Sequence, residues 1–292
     1  MAALVAPLPL KPMKPADVGG AVTHVLHERG RLDGKPASPA TIAAARDLQV
    51  LRDQLMNIDR LTYSTAEDAA AQFMRYSGLL AALELRFELS GNELGVGFQW
   101  KDAWRNKSRA TFNDLRFERV CVLCNAAAAY SYCASQSQAR GPAARGLKDA
   151  ARLFQQAAGC LNAAHDITKP LIWGLSPKWD PNALTVDLRL EMLTAMRDLM
   201  LAHAQRTFYE KACAENLNDG VKAKLAAAAA TQFATVCSVF RSQPALAQHI
   251  EGESSMFKSA DKTFLGRIEA LRGWMDAAVD EHAAQEKKSA YE

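Results

Sequence analysis

Long apolar runs and strong net charge are both missing from this sequence. No uninterrupted apolar stretch approaches the ~18 residues that a membrane-spanning helix requires, so we expect no transmembrane segment. The opening stretch MAALVAPLPLKP is short, is interrupted by prolines and lacks a basic start, which argues against a secretory signal. A formal net charge of +3 over 292 residues is too small to imply nucleic-acid binding or direct attraction to an anionic membrane.

Catalytic and metal-binding signatures are also scarce. The segment GNELGVG does not open a helix and lacks the Gly-Lys-Ser/Thr of a phosphate loop, and no Gly-x-Ser-x-Gly motif occurs. Cys121 and Cys124 form a Cys-x-x-Cys pair, but only Cys133 lies nearby and no histidine occurs between residues 28 and 164. A structural zinc site needs four ligands, so we interpret the pair as buried, reduced thiols of a helix in a cytoplasmic protein. His203 falls on an apolar helix face and is expected to be a hydrogen-bonded core residue. The sequence predicts no catalytic residue, no metal site and no cofactor.

What the sequence does contain is helical periodicity, with one exception. The exception is LGVGFQW, where bulky residues alternate with small or polar ones over 94–100, which predicts a strand of a small sheet. Residues 3–10 could add an edge strand, since their prolines exclude a central position. Ser64-x-x-Glu67 is expected to cap a helix as a capping box. We predict helices over about 41–58, 64–84, 108–138, 146–165, 184–216, 220–242 and from 261 onward.

Four motifs, taken in order, carry a family resemblance. They are GFQWKDAW at 97–104, LRFERVCVLCNAAAAYSYCA at 115–134, GLKDAARLFQQAAGCL at 146–161 and LMLAHAQRTFYEKA at 199–212. Each is weak alone, but in this order they are specific, and the chain resembles the BRO-one domain of ALIX-type proteins. The resemblance implies a mainly α fold, an elongated, banana-shaped, tetratricopeptide-like helical solenoid with a small N-terminal β-sheet. It also implies that residues 1–292 are a single BRO-one domain whose C-terminal end is missing.

Polar residues inside these motifs carry structural expectations. Asp102 is placed to cap the segment that follows it. Asn125 stands among apolar neighbours and, if buried, must satisfy its amide with hydrogen bonds. Gln155, Gln156 and Gln205 pose the same question, and we expect them to join a hydrogen-bond network between helices rather than to act in catalysis.

The resemblance further implies a scaffold without enzyme activity. Family members bind the C-terminal amphipathic helix of an ESCRT-III subunit of the Snf-seven type, which brings them to endosomes where multivesicular bodies form. We therefore expect a cytoplasmic protein that is recruited to endosomal membranes through its partner. Carried over by position, the partner-binding residues are the apolar Phe208, Val221 and Leu225 and the basic Lys211 and Lys148.

The residue pattern itself suits such a surface. Val221 and Leu225 lie one turn apart on one predicted helix and Phe208 lies on the preceding helix, so together they could line a groove for a helical ligand. A basic rim would favour an acidic ligand helix. The lysines of that rim are Lys211, Lys222 and Lys224. The alternative is that Val221 and Leu225 only pack the core.

Other functions remain open at the level of sequence. Within the family, the chain could be a signalling scaffold of the fungal pH-response or Rho-associated type. It could also be the N-terminal domain of a larger phosphatase-type protein, or a helical adaptor unrelated to ESCRT. The residues beyond position 292 would distinguish these.

Overall fold

The computed structural model describes residues 7–86, 94–139, 144–174, 178–251 and 263–289. Within these ranges the chain forms nine α-helices and one two-stranded sheet, which confirms the predicted mainly α fold with a small sheet. The helices are α1 Val18–Leu32, α2 Pro39–Met56, α3 Tyr63–Glu84, α4 Leu115–Ala139, α5 Ala144–Trp173, α6 Leu190–Ala214, α7 Asp219–Ser242, α8 Pro244–Glu251 and α9 Phe264–Ser289. The strands are β1 Phe98–Lys101 and β2 Arg109–Phe112.

Helix α6 begins at Leu190 instead of residue 184, and the starts of α3 and α4 also differ from the sequence prediction. The capping box of α3 is formed by Thr62 and Thr65 rather than by Ser64 and Glu67, with the Thr62 N–H donating to Thr65 Oγ1 at 3.1 Å. Helix α4 begins at Leu115 instead of residue 108, because residues 109–112 form β2.

The sheet confirms the predicted alternation but is shorter than expected. Phe98 and Trp100 are buried on one face of β1, and the strand pairs antiparallel with β2. Gly95, which precedes β1, has a φ of 59°, a left-handed conformation that glycine adopts without strain. On the other edge of β1, the Lys14 N–H donates to the Gln99 carbonyl at 3.1 Å. The N-terminal pairing therefore occurs beside Met13 and not within 7–10, and residues 3–6 of the predicted edge strand lie outside the described residues.

The chain divides into two compact units, and the boundaries fall within α4 and α5. One unit comprises residues 1–8, 127–162 and 190–292, and the other comprises residues 9–126 and 163–189. That residues 1–292 form one BRO-one domain stays a prediction.

A buried carboxylate organises the core of the unit formed by residues 9–126 and 163–189. Glu118 on α4 is fully buried, and its Oε2 accepts a hydrogen bond from Trp100 Nε1 at 2.6 Å. Its Oε1 accepts from Arg52 Nε at 2.9 Å and from the Tyr76 hydroxyl at 3.3 Å. Burial raises the pKa of Glu118, while Arg52 and the hydrogen bonds act to lower it. The Phe-Glu of the second motif thus joins α2, α3, β1 and α4.

Two further motif residues in this unit behave as expected. Asp102 Oδ1 accepts from the backbone N–H groups of Trp104 and Arg105 at 2.9 and 3.0 Å, which confirms its capping role. Asn125 is buried and pairs with the backbone of Lys11, accepting from its N–H at 2.7 Å and donating to its carbonyl at 3.0 Å. The oxygen and the nitrogen of the Asn125 amide therefore each have a hydrogen-bond partner, and the side chain tethers the extended segment before α1 to α4.

The Lys11 ammonium group is buried beside that tether. Lys11 Nζ donates to Asp187 Oδ2 at 2.5 Å, and both side chains are 2% exposed. The same Asp187 oxygen accepts from the backbone N–H of Ala103 at 2.9 Å. This buried pair fixes the segment around Lys11 against the segment around Asp187, because separating the two side chains would leave each charge without a counter-ion.

The glutamines do not form the expected network between helices. Gln155 is exposed, and Gln156 accepts from Arg152 Nη1, one turn earlier on the same helix, at 3.1 Å. The polar faces of these residues therefore belong to the surface of α5.

His203 packs in the core of the unit formed by residues 1–8, 127–162 and 190–292. Its ring stacks on Phe154 of α5 at 5.3 Å and meets the Phe233 ring of α7 edge-on at 5.5 Å. Burial, aided by Arg206, lowers the pKa of His203 well below its ordinary value, so the ring is neutral. The prediction that His203 is a core residue is confirmed. The prediction that it is hydrogen-bonded is wrong for its Nδ1 atom, which has no hydrogen-bond partner among the described residues.

The first cysteine of the Cys-x-x-Cys pair is a buried thiol of α4. Burial raises the pKa of the Cys121 thiol well above its ordinary value, which disfavours the thiolate and supports the packing interpretation.

Among the described residues, α7 alone is long and apolar enough to cross a membrane, whereas the sequence predicted no such segment. One such helix is weak evidence, since a core helix passes the same test, and α7 packs against both α6 and α9.

Candidate partner-binding surface

The turn between α6 and α7 sets the geometry of the candidate surface. Helix α6 ends with Asn216 in a left-handed conformation at φ 51°, and the Leu217 N–H closes the turn on the Ala212 carbonyl at 3.0 Å. Helix α7 then starts immediately, because the Asn218 side chain caps it by accepting from the Val221 N–H at 2.8 Å. The short connection makes α6 and α7 antiparallel neighbours, so residues near the end of α6 and the start of α7 lie at the same end of the pair.

The three apolar residues expected to bind a partner are all accessible. Val221 is 36% exposed, and Phe208 and Leu225 are half-buried. Val221 and Leu225 occupy one edge of α7, whereas the buried face of that helix combines small side chains such as Ala226 and Ala229 with large ones such as Phe233. The exposure of Val221 favours a surface role over the alternative in which it only fills the core, whereas half-buried Leu225 fits either interpretation. We call Phe208, Val221 and Leu225 the α6–α7 patch.

The same stripe of α6 contains a residue that sequence reasoning missed. Leu201 is 37% exposed and precedes Phe208 by seven residues, two helical turns on the same face. Gln205, one turn from Leu201, is half-buried on the same face. The spacing within LMLAHAQRTF could have indicated this extension, since Leu201 and Phe208 follow the heptad period. Leu201 would lengthen an apolar track along α6 by about 10 Å.

The lysines around the α6–α7 patch are less available than the sequence suggests. Lys211 donates to Glu215 at 2.6 Å, and Lys222 lies 3.3 Å from Asp219, so each has an acidic partner within its own helix. Lys224 is exposed and forms no ion pair with any described residue. Lys148, in the second turn of α5, is exposed as well. The positive charge open to an acidic ligand on α7 is thus supplied mainly by Lys224, and Lys148 adds an exposed charge on α5.

Asp219, His282 and Tyr209 form a chain of side-chain contacts, which we call the lock, at the first turn of α7, the turn that contains Val221. Asp219 Oδ1 lies 2.9 Å from His282 Nδ1 on α9, and His282 Nε2 lies 3.2 Å from the Tyr209 hydroxyl on α6. Burial acts to raise the pKa of Asp219, but hydrogen bonds from His282 and Lys222 outweigh it and lower that pKa. This lock joins α6, α7 and α9 behind the α6–α7 patch, so the patch is presented on a fixed backbone.

Within the described part of the chain, no group of three or more His, Cys, Asp or Glu side chains is placed to hold a metal ion. Lys211, Asn218 and Asp219, near the patch, are engaged in an ion pair, a cap and the lock, respectively. The surface is therefore suited to binding an apolar ligand face.

Comparison with known proteins gives a consistent result. The family model described as BRO1-like domain matches residues 5–289. The chain is 34% identical over 188 residues to ALG-2 interacting protein X of Dictyostelium discoideum, which is 64% of this chain and 22% of that protein. It is 32% identical over 160 residues to vacuolar protein-sorting protein bro-1 of Neurospora crassa, 55% of this chain and 14% of that protein. The matched region thus spans about a fifth or less of these curated relatives.

Solved structures agree on the fold. A structure described as the ALIX BRO1 CHMP4C complex superposes with a TM-score of 0.79 at 24% identity, covering 98% of this chain and 75% of that chain. A structure described as the basis for endosomal targeting by the Bro1 domain superposes with a TM-score of 0.65 at 18% identity, covering 98% of this chain and 71% of that chain. The family model covers nearly the whole sequence, and this chain belongs to the BRO1-like domain family.

Proposed function

We propose that this chain is a non-catalytic scaffold that binds the C-terminal amphipathic helix of a Snf-seven-type ESCRT-III subunit. It would act in endosomal and multivesicular-body sorting and in the membrane remodelling that accompanies it. In this proposal the protein is cytoplasmic and reaches endosomes through its partner rather than through a membrane segment of its own.

The observation that carries the proposal is the exposure of the α6–α7 patch. Val221 is 36% exposed at the start of a helix in which Phe233 and Phe240 are buried. An amphipathic helix would cover Val221, Leu225 and Phe208 with residues spaced at i, i+3, i+4 and i+7. Lys224 and Lys148 would then favour acidic residues on the flanks of that helix.

The relatives support this class of partner. The solved neighbour with a TM-score of 0.79 is a complex of the ALIX BRO1 domain with CHMP4C. The name of the Neurospora crassa relative assigns it to vacuolar protein sorting. Both agree with an ESCRT-linked scaffold. The titration below tests whether the C-terminal helix of a Snf-seven-type subunit is the partner.

The test is a titration of a fluorescently labelled peptide of that C-terminal helix with the full chain. We expect Val221→Asp and Leu225→Asp each to weaken binding by about 100-fold or more, because a charge buried in an apolar contact without a partner costs about 3 kcal/mol. Val221→Asp is the cleaner variant, since Val221 is the more exposed of the two side chains in the free protein.

The matched control is Ser238→Asp, which adds the same charge to the same helix. Ser238 is exposed and lies 17 residues after Val221, about 25 Å along α7. We expect its affinity for the peptide to equal that of the unmodified chain. If Val221→Asp and Leu225→Asp keep native circular dichroism and bind with unchanged affinity, the α6–α7 patch is not the binding surface.

A further inference from the structure

A cavity of about 260 Å³ lies between α1, α2 and α3, in the unit that contains residues 9–126. Its walls are mostly aliphatic, with Val22 and Leu26 from α1, Leu48 from α2, and Leu79 and Leu83 from α3. Leu79 is 40% exposed, so the cavity can be reached from solvent. We call it the α1–α3 pocket. The α6–α7 patch is built from other residues and does not account for it.

The polar groups of the α1–α3 pocket gather at one end. Helices α1 and α2 run antiparallel, since Gly19 at the start of α1 donates to Gln49 Oε1 in the second half of α2 at 3.1 Å. Thr41, in the first turn of α2, therefore lies towards the end of α1. Arg86, which follows α3, lies there too, because its carbonyl accepts from Arg29 Nη1 of α1 at 3.2 Å. The pocket is thus apolar along its length and polar where Thr41 and Arg86 line it.

The charge at this end is positive. Arg86 is exposed and forms no ion pair with any residue that the structure describes. The neighbouring acids point elsewhere: Glu84 pairs with Arg119 at 3.0 Å, and Glu28 pairs with Arg31 at 2.6 Å. A guanidinium group that has no carboxylate partner among the described residues, at the mouth of an aliphatic pocket, matches a ligand with an apolar tail and an anionic head.

The length and volume of the α1–α3 pocket favour a ligand with one unbranched chain. The wall from Leu79 to Arg86 covers seven residues, about 10 Å along a helix, which is the length of an extended octyl to decyl chain. Drug-sized ligands occupy pockets of about 300–1,000 Å³, so a cavity of about 260 Å³ suits one unbranched chain. A partner helix, with a diameter of about 10–12 Å, would not enter it.

We propose that the α1–α3 pocket binds a free medium-chain fatty carboxylate, with its tail among the aliphatic side chains and its carboxylate at Arg86. This site would be independent of the scaffold function proposed above. The carboxylate would accept hydrogen bonds from the Arg86 guanidinium and, at the same end, from the Thr41 hydroxyl.

The test is calorimetric titration of the full chain with decanoate. Decanol, methyl decanoate and butyrate serve as comparison ligands that lack the charge, the free acid and the tail, respectively. We expect saturable binding of decanoate and at least fivefold weaker binding of each comparison ligand. Equal affinity for decanoate and decanol would overturn the assignment of the carboxylate to Arg86.

Two variants locate the site. Ala82→Phe places a ring in the pocket from an exposed position of α3, so the helix should fold normally, and decanoate binding should be lost. Arg86→Gln should weaken decanoate about tenfold without affecting decanol, whereas Arg75→Gln, which removes an exposed arginine of α3 outside the pocket, should change neither. No saturable binding, or unchanged decanoate binding in Ala82→Phe, refutes the proposal. So does self-association of the unmodified chain that Ala82→Phe abolishes, since the pocket would then be an interface between copies.

Discussion

Glutamine in place of Glu118 removes one negative charge from a fully buried site and keeps the shape of the side chain. Arg52 is also fully buried, and its Nε donates to Glu118 Oε1 at 2.9 Å. Arg52 keeps a hydrogen bond to the Lys14 carbonyl at 3.0 Å, but its charge would lose its counter-ion. Breaking a buried ion pair in this way costs about 3–5 kcal/mol, a large share of the ~5–15 kcal/mol that stabilises a typical domain.

The double variant Arg52→Met with Glu118→Gln separates charge from shape. It removes both charges, and the glutamine carbonyl can still accept from Trp100 Nε1, which now donates to Glu118 at 2.6 Å. We expect the double variant to be more stable than Glu118→Gln alone by about 2 kcal/mol, because no buried charge is left without a partner. Replacing both members of a buried pair is often close to neutral, whereas replacing one is not.

The assay is urea unfolding followed by far-ultraviolet circular dichroism, with the free energy of unfolding taken from each curve. An unchanged dependence of that free energy on urea concentration shows that the same structure unfolds in each variant. The reasoning is refuted if Glu118→Gln costs less than about 1 kcal/mol, or if the double variant is no more stable than the single one.

Three further predictions concern buried polar groups and thiols. Asn125→Ala leaves the backbone N–H and carbonyl of Lys11 without partners and should lower the free energy of unfolding by about 2 kcal/mol in the same urea assay; no loss would contradict the tether. Iodoacetamide should label exposed Cys213 in the native chain long before buried Cys121, as peptide mass spectrometry would show, and equal rates would contradict the packing interpretation. The pKa of His203 is lowered from 6.5 by burial, so the unfolded chain binds the proton first and stability should fall as pH drops below about 6.5; His203→Leu should flatten this dependence between about pH 7.5 and pH 5.5.

Helix α5 was predictable because it combines an apolar stripe with a polar face. Strand β2 was not, since RATF has only four residues and contributes a single fully buried side chain, Ala110. Helix α8 has only eight residues, too few for the period to stand out from chance. The partners of Glu118 could not be inferred either, because Arg52 and Tyr76 lie 66 and 42 residues earlier in the chain.

At the candidate surface, too, features that depend on neighbouring residues were predictable, whereas contacts between residues far apart in the sequence were not. The accessibility of Val221 follows from its place at the edge of an amphipathic helix, and the pairing of Lys211 with Glu215 follows from their spacing of four. The lock between Asp219 and His282 joins residues 63 positions apart, and nothing in their local sequence signals it. Residue type and spacing thus indicate what a helix exposes, whereas the contacts that hold it in place depend on the packed fold.

The tether at Lys11 has a consequence for the order in which this protein can fold during synthesis. Lys11 leaves the ribosome early, yet its partners Asn125 and Asp187 follow 114 and 176 residues later. Until then its ammonium group stays in water and the chain around it stays unanchored. At translation rates of about 5–20 residues per second, that delay lasts roughly 10–35 seconds. The unit that begins at Pro9 therefore completes its core only after the whole of α5 and the residues up to 189 have been made, and the nascent segment before α1 is open to chaperones and proteases throughout that time.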